Sequence, residues 1–290
     1  MSFRILVLVK QVPDTRNVGE DAMKADGTVN RGVLPAIFNP EDMHALEMAL
    51  TIKDSRDDAE VITMTMGPPR AADIIRESMY RGADKGYLLT DRKFAGSDTL
   101  ATSYTLAAAA RKLMPFSLLI AGRQAIDGDT AQVGPQVAEK LGIPQVTYAE
   151  KVLKISDDNI RIKRRLDRGI EVVEVNMPIV ITAHSSADPC RPRNAKRLLK
   201  FKHARTLSEL QNEVKDYTEM YNDRPYLEIA EWTADDLEVE EKNLGLSGSP
   251  TKVKKIENVV FKQKDSVTIT DADEEIDKLM KDLITSHVIG

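Results

Sequence analysis

The sequence predicts an α/β fold in which a mostly parallel sheet carries helices on both faces, in a Rossmann-like arrangement. Apolar runs of strand length alternate with segments of helical periodicity through the first half of the chain. Strands and helices that alternate at this spacing are typical of βαβ units. The first run, residues 3–9, is largely apolar and ends at Lys10. Such a run suits a strand that is buried on both faces, as the strands of parallel sheets are.

A clear helix start follows an irregular stretch. Residues 11–38 are predicted to be irregular, with short hairpin pieces and a turn at residues 26–27. In the segment Asn39-Pro40-Glu41-Asp42, Asn39 suits the N-cap and Pro40 suits the first helical position. The two acids favour the positive end of the helix dipole. Apolar residues that follow at helical spacing are predicted to face the core, among them Met43, Leu46 and Leu50.

The alternation continues to residue 121. We predict strands at residues 60–66, 86–90 and 116–121, and helices at residues 71–80 and 98–114. Parallel sheets bind ligands beyond the carboxyl ends of their strands. Four predicted strand ends carry Lys10, Met66-Gly67, Asp91 and Gly122-Arg123. We therefore predict a ligand site at this edge of the sheet.

The segment GRQAIDGDTAQVGPQVAEKLG, from Gly122 to Gly142, follows the last of these strands and leads into a predicted helix at residues 131–141. The first turn of a helix offers unpaired N–H groups and a partial positive charge, which suit a phosphate. Gly122 and Gly128 allow the backbone to approach a ligand. Asp127, Asp129 and Thr130 are candidate helix caps. A well-capped helix without a ligand explains this segment equally well when it is considered alone.

The pattern changes after residue 142. Strands are predicted at residues 146–155, 159–166, 170–177 and 179–183, in an antiparallel or mixed layer, with hairpin turns at residues 157–159 and 167–169. From residue 204 the chain is charged and lacks a strong periodic core, apart from helical pieces at residues 207–214 and 271–283. We predict a nucleotide-binding α/β domain at residues 1–203 and a C-terminal arm at residues 204–290. The arm wraps a partner, or forms a small satellite subdomain.

Composition excludes several classes of protein. The net charge of −5 argues against a nucleic-acid surface, and the basic run at residues 196–202 suits a solvated helix face. No apolar run approaches the 18 or so residues that a membrane span needs. Cys190 is the one cysteine, which excludes internal disulfides and favours a reducing compartment, and we expect a cytoplasmic location. The four histidines are scattered, so we expect no metal site.

Several separate segments resemble the β subunit of electron transfer flavoprotein, in the order that the family has them. The resemblance covers nearly the whole chain. One position departs from it, because Arg168 stands where the family usually has Gly or Asp. The segments are LVLVKQVPDT at residues 6–15, NPED at 39–42, TMGPP at 65–69, GRQAIDGDTAQVGP at 122–135, IKRRLDRGIE at 162–171, and Pro178 with IVIT at 179–182.

The resemblance implies a heterodimer with an α subunit that carries a redox FAD. The β subunit of ordinary members holds a structural AMP. In electron-bifurcating members the same pocket holds a second FAD, which takes a hydride from NADH and divides the two electrons. One then goes to the α-subunit FAD and a dehydrogenase, and the other to a low-potential acceptor such as ferredoxin. Residues 10–15, 128–134 and 246–253 look closer to the bifurcating group, so FAD is expected, with AMP as the alternative.

The resemblance also implies site residues, none of them a catalytic acid, base or nucleophile. A loop that docks partner dehydrogenases is implied at residues 184–199, with Ala195 where the family has an aliphatic anchor. The expected cofactor-binding residues are Leu8, Val9 and Lys10 beside the adenosine; Asn39, Pro40, Glu41, Asp42, Met66 and Gly67 at the base and ribose; Gly122, Arg123, Gln124, Ala125, Asp127, Gly128, Asp129, Thr130, Ala131, Gln132 and Val133 at the phosphates; and Asp98, Thr99 and Thr102 facing the same edge.

Two other classes remain as alternatives. An adenylating enzyme of the N-type ATP pyrophosphatase kind has a similar layout, but it needs an SGGxDS-like loop after its first strand. Here that strand is followed by Lys10-Gln11-Val12-Pro13, and Ala95-Gly96-Ser97-Asp98 lies far downstream. A nucleotide-sensing protein without a redox role is the other alternative.

Overall fold

The computed structural model describes residues 2–14, 34–211, 218–251, 266 and 268–289. The predicted turn at residues 26–27 and parts of the segments at 10–15, 207–214 and 246–253 lie outside these residues. The strands are β1 (Phe3–Leu8), β2 (Gln11–Pro13), β3 (Ala36–Phe38), β4 (Ala59–Met66), β5 (Lys85–Leu89), β6 (Leu118–Gly122), β7 (Gln145–Ile155), β8 (Asn159–Leu166), β9 (Gly169–Asn176), β10 (Ile179–Ala183) and β11 (Ala230–Trp232). The α-helices are α1 (Pro40–Asp54), α2 (Ala72–Arg81), α3 (Thr99–Lys112), α4 (Val133–Leu141), α5 (Ala195–Phe201), α6 (Leu207–Gln211), α7 (Thr218–Asp223) and α8 (Asp273–Thr285).

Within the described part of the chain, nine strands form one sheet in the order β11-β5-β4-β1-β6-β10-β7-β8-β9. Every neighbouring pair from β11 to β7 is parallel, and β8 and β9 are added antiparallel. The chain passes from β1 to β4 on one side and later returns to β6 on the other side of β1. The loops after β1 and β6 therefore diverge and leave a crevice, which is where open α/β sheets bind ligands.

Helices cover both faces of the sheet, as predicted. On one face, α1 packs Leu46 and Leu50 against Ile5 and Ile120 of the central strands. On the other face, α3 and α4 pack on the alternate residues of the same strands, such as Leu119. Each fully buried Leu or Ile contributes roughly 1.5–3 kcal/mol by leaving water. The two faces together hold the carboxyl ends of β1 and β6 at a fixed separation.

The second half of the chain continues the same sheet. The predicted hairpins are confirmed, because β7 pairs antiparallel with β8 and β8 with β9. The layer is mixed, since β10 inserts parallel between β6 and β7. The β10–β7 register shifts before Ala149, and Tyr148 there has φ of 58°. A bulky residue in this left-handed region marks an irregular strand.

The first part of the predicted arm packs on this chain. Strand β11 pairs with β5 at the edge of the sheet, and Leu227, Ile229 and Leu244 are buried. The sequence did not predict β11, because this strand has only three residues and lies beside acidic stretches. The final helix α8 has no buried residue, and its packing on an α subunit stays a prediction. Among the described residues, no helix is both long and apolar enough to cross a membrane.

Candidate functional site

The crevice between β1 and β6 is bridged by an ion pair. Lys10 follows β1, and its Nζ lies 2.8 Å from each carboxylate oxygen of Asp127, in the loop after β6. The Lys10 side chain is 48% exposed, so the ammonium faces solvent at the crevice mouth. An exposed pair of this kind contributes at most about 1 kcal/mol to stability. The ammonium therefore remains available to a stronger anion such as a phosphate.

The first turn of α1 holds both strand ends through Asp42. One carboxylate oxygen accepts the Lys10 backbone N–H at 2.8 Å, and the other accepts the Gly122 N–H at 3.2 Å. The side chain is buried, and this burial raises the pKa of Asp42 to about 7 despite the hydrogen bonds, which lower it. Asp42 thus fixes the two sides of the crevice relative to each other.

Glu41 extends the same connection to the residues after β6. Its carboxylate pairs with the Arg123 guanidinium at 2.7 and 3.1 Å and accepts the Gln124 N–H at 3.2 Å. The Arg123 side chain is 28% exposed and that of Glu41 only 9%. The buried acid therefore orients a cation that still reaches solvent at the sheet edge.

Asn39 has a role that differs from the predicted one. It occupies the N-cap of α1, but its side chain makes no cap hydrogen bond. The carboxamide instead donates to the Gln124 carbonyl at 2.9 Å and accepts the Ile126 N–H at 3.2 Å. The side chain binds this loop instead of capping α1, because the loop after β6 offers one acceptor and one donor that match an amide. Asn39, Glu41 and Asp42 thus all support this loop.

The loop before α4 corrects the predicted start of that helix. The helix begins at Val133 rather than residue 131, and the N-cap Gln132 makes no side-chain cap bond. Asp127 and Asp129 do not cap it, because their carboxylates bind Lys10 and the Gln124 side chain. The start of α4 is therefore left without a side-chain cap. Because Pro135 has no N–H, the Val133 and Gly134 N–H groups are the ones in this turn that suit an anion.

Two residues of this loop have left-handed backbone conformations without being glycine. Asp129 has φ of 49° and Ala131 has φ of 53°. Such conformations cost of order 1 kcal/mol or more for a residue with a Cβ, and they cluster at ligand sites. Thr130 lies between them and is exposed.

The glycines of the segment have different roles. A Cβ on Gly122 would lie 2.4 Å from the Asp42 carboxylate and 2.7 Å from the Glu41 carbonyl carbon. The packing of α1 therefore requires glycine at position 122. The sequence had suggested instead that a ligand requires it. A Cβ on Gly128 would meet nothing within 4 Å. Internal packing does not explain Gly128, whose open surroundings suit close approach of a ligand.

The loop before α3 lies at the same edge but its acid is engaged. Asp98 caps α3 by accepting from the Leu100 and Ala101 N–H groups, and its other oxygen accepts from Thr251. Thr99 donates to the Gln132 side chain at 2.8 Å, which ties α3 to the start of α4. Asp98 and Thr99 therefore have structural bonds, and a ligand role for them stays a prediction.

The structure brings the predicted residues to one edge of the sheet. Leu8 ends β1, Met66 ends β4, and Gly67 bonds the Leu89 carbonyl at the end of β5. The helix α1 and the loop 122–133 complete the two sides of the crevice. Thr102, inside α3, makes only the backbone bond to Asp98 within this set. That the assembled residues bind a cofactor stays a prediction.

Two further side chains at this edge escaped the sequence analysis. Tyr148 lies in β7 and His184 directly follows β10. Their ring centroids are 6.0 Å apart. Tyr148 lay inside a predicted strand, where an aromatic residue is ordinary. The pairing of β6, β10 and β7, which sequence alone did not supply, was needed to place it.

The Cys190 thiol is a poor nucleophile at neutral pH. Burial, with nearby Glu47, raises the pKa of the thiol to about 11, so the reactive thiolate is scarce at neutral pH.

These features define an open-sheet α/β protein whose carboxyl edge carries a cation, a helix start without a side-chain cap, and a loop suited to a phosphorylated ligand. Residues 26–204 match the family described as electron transfer flavoprotein domain. The chain belongs to this family, among its β subunits.

Curated relatives agree with this assignment. The chain is 46% identical over 251 residues to the electron transfer flavoprotein subunit beta of Clostridium acetobutylicum. The aligned segment covers 87% of this chain and 86% of the relative. It is 41% identical to the acryloyl-CoA reductase electron transfer subunit gamma of Anaerotignum propionicum, over 99% and 100% of the two chains. It is 52% identical to the caffeyl-CoA reductase-Etf complex subunit CarD of Acetobacterium woodii, over 62% and 67%.

Proposed function

We propose that this chain is the β subunit of a heterodimeric electron transfer flavoprotein that binds FAD in the crevice between β1 and β6 and bifurcates electrons from NADH. An ordinary β subunit that holds a structural AMP is the second candidate. The observation that carries the proposal is the loop before α4. It has open space at Gly128, two left-handed residues and an uncapped helix start beside the Lys10 ammonium. These groups fit the diphosphate of a dinucleotide.

The residues of the chain would act by binding and orientation. Lys10 would exchange Asp127 for a phosphate oxygen, because the diphosphate as a whole carries two negative charges and the Asp127 carboxylate one. The α4 N–H groups would take the remaining oxygens, while Asp42, Glu41 and Asn39 hold the loop. When bound, the flavin would accept a hydride from NADH and pass one electron to the α-subunit FAD and one to ferredoxin, with release of a proton.

The choice of FAD over AMP rests on the resemblance to the bifurcating group, and two relatives support the choice of a dehydrogenase partner. Their names place CarD in a complex with caffeyl-CoA reductase and the gamma subunit with acryloyl-CoA reductase. A reductase of this acyl-CoA class is thus the dehydrogenase partner that we propose. A cytoplasmic location is part of the same proposal.

The α subunit is proposed as the permanent partner. Helix α8 has no buried residue. Its exposed apolar side chains include Ile276, Leu279, Met280 and Ile284. Residues at this spacing share one helix face, which another surface normally covers. We propose that the arm packs this face on the α subunit. The chain expressed alone should then aggregate, and a monomer with a sharp melting transition would contradict this point.

The proposal is tested by releasing the nucleotides from the purified complex. Acid extraction and chromatography should yield two FAD per heterodimer and no AMP. The Gly128→Glu variant should yield one FAD, because a carboxylate would face the diphosphate. Gly128→Ala adds a methyl group without a charge, so it should weaken FAD binding less than Gly128→Glu does. One FAD and one AMP per wild-type heterodimer would leave the ordinary β subunit instead.

A further inference from the structure

Three residues lie side by side at the carboxyl edge, on the far side of the crevice from β1. Gly122 of β6 pairs with Ala183 of β10, and Ala183 pairs with Ala149 of β7. Arg123 follows Gly122, His184 follows Ala183, and Tyr148 precedes Ala149. The backbone ladder reaches this level, because Arg123 N–H donates to Ala183 and His184 N–H donates to Ala149. The three side chains thus continue the candidate site beyond its phosphate loop.

Tyr148 is held in a conformation that its own side chain disfavours. Its φ of 58° is left-handed, and its N–H bonds the Thr182 hydroxyl at 3.3 Å. The residue is nevertheless 37% exposed. Burial in the core therefore does not account for this strained bulge, because Tyr148 is exposed rather than part of the core. Strain of this kind is typical of residues that meet a ligand.

His184 presents its Nε2 atom at this edge. Its Nδ1 lies 2.8 Å from Ser186 Oγ and 3.1 Å from the Ser186 backbone nitrogen, and the Ser186 hydroxyl in turn donates to Glu150. Burial and the Arg123 charge lower the pKa of His184, which favours the neutral ring. Within the described part of the chain, Nε2 makes no hydrogen bond, whereas Nδ1 is engaged by Ser186. A ring nitrogen so placed suits a polar atom on a ligand edge, as donor or acceptor according to the tautomer.

We propose that Tyr148 and His184, beside Arg123, form the subsite that contacts the isoalloxazine half of bound FAD. The inference rests on the proposed function and extends it. A dinucleotide lies across the carboxyl edge of an open sheet, with its two halves on either side of the switch point. If the adenylate half lies over β1 and β4, the ring half lies over β10 and β7. Tyr148 then offers a face or edge to the ring, and His184 Nε2 forms a hydrogen bond with one of its polar atoms.

The test compares FAD with AMP, because AMP lacks the half that this subsite contacts. The complex with the α subunit is loaded with labelled AMP in the β site, and FAD is titrated to displace it. Tyr148→Ala should weaken FAD relative to AMP about tenfold, equivalent to about 1.4 kcal/mol. It retains the Cβ, so the backbone strain is unchanged. His184→Gln should weaken FAD about fivefold, and neither variant should change the affinity for AMP itself.

Two control variants separate this role from general damage. Tyr148→Phe keeps the ring and should stay within about twofold of wild type. Tyr226→Ala removes a tyrosine of matched exposure, at 39%, that packs on Phe201 instead. It should leave both affinities unchanged.

The outcomes distinguish the two levels of the proposal. If FAD displaces AMP from wild type but Tyr148→Ala and His184→Gln bind it unchanged, the subsite is wrong and the proposed function stands. Equal weakening of AMP and FAD would also overturn the subsite, since it would show a structural role. If FAD fails to displace AMP from wild type, the proposed function itself fails, and the subsite with it.

Discussion

Replacing Gly122 with alanine should separate the framework of the site from its ligand-contacting surface. The new Cβ would lie 2.4 Å from Asp42 Oδ1, 2.7 Å from the Glu41 carbonyl carbon and 2.8 Å from the Asp42 nitrogen. Two of these atoms are backbone, so the clash is relieved only if α1 moves away from β6. That movement breaks the bond from Gly122 N–H to Asp42. Overpacking costs about 1–3 kcal/mol and the lost buried hydrogen bond about 1 kcal/mol more.

The expected loss of about 3 kcal/mol should be visible in thermal denaturation. At roughly 2 °C per kcal/mol for a chain of this size, the melting temperature of the complex should fall by about 6 °C. Gly128→Ala is the matched control and should change it by less than 1 °C, because its Cβ meets open space. Hydrogen exchange should locate the loss in peptides from α1 and β6. Equal melting temperatures for the two variants would refute the distinction between these glycines.

Three further predictions follow from the contacts of the site. Because burial raises the pKa of Asp42 from 3.8 to about 7, its contribution to stability is fully present below pH 4 and is lost as pH rises through 7. Asp42→Asn should flatten that part of the curve of melting temperature against pH, and an unchanged curve would contradict it. Lys10→Gln should weaken AMP and FAD alike by about tenfold in calorimetric titrations at a stability cost below about 1 kcal/mol; unchanged affinity would exclude Lys10 from the site. Asp98→Ala should destabilise the complex by about 1–2 kcal/mol through the lost α3 cap; weaker nucleotide binding would support the predicted ligand role of Asp98, and unchanged affinity would contradict that role.

The predictable part of the fold was that set by local pattern. The alternation of apolar runs with helical periodicity located β1, β4, β5, β6 and their helices. Local turn residues located the β7–β9 hairpins. By contrast, β11 was missed, because three residues carry no usable period and depend on the exposed edge of β5 for their pairing.

The candidate site was predicted as a place more accurately than as a set of contacts. Strand ends identified the edge, because parallel strands finish together. The partner of Asn39 could not be inferred, since a cap bond and a bond to a loop 85 residues away use the same amide. Gly122 was assigned to a ligand because its true neighbour, Asp42, is brought close only by tertiary packing. Tyr148 required the β10–β7 register, which is a property of the sheet as a whole.

An anaerobic titration of the reconstituted heterodimer with NADH tests the central claim most directly. We expect two flavins per heterodimer, one of which is bleached in a single two-electron step by one equivalent of NADH. Gly128→Glu should abolish that step and leave the α-subunit flavin intact. A heterodimer that holds one flavin and one AMP, and that NADH does not reduce, would contradict the account.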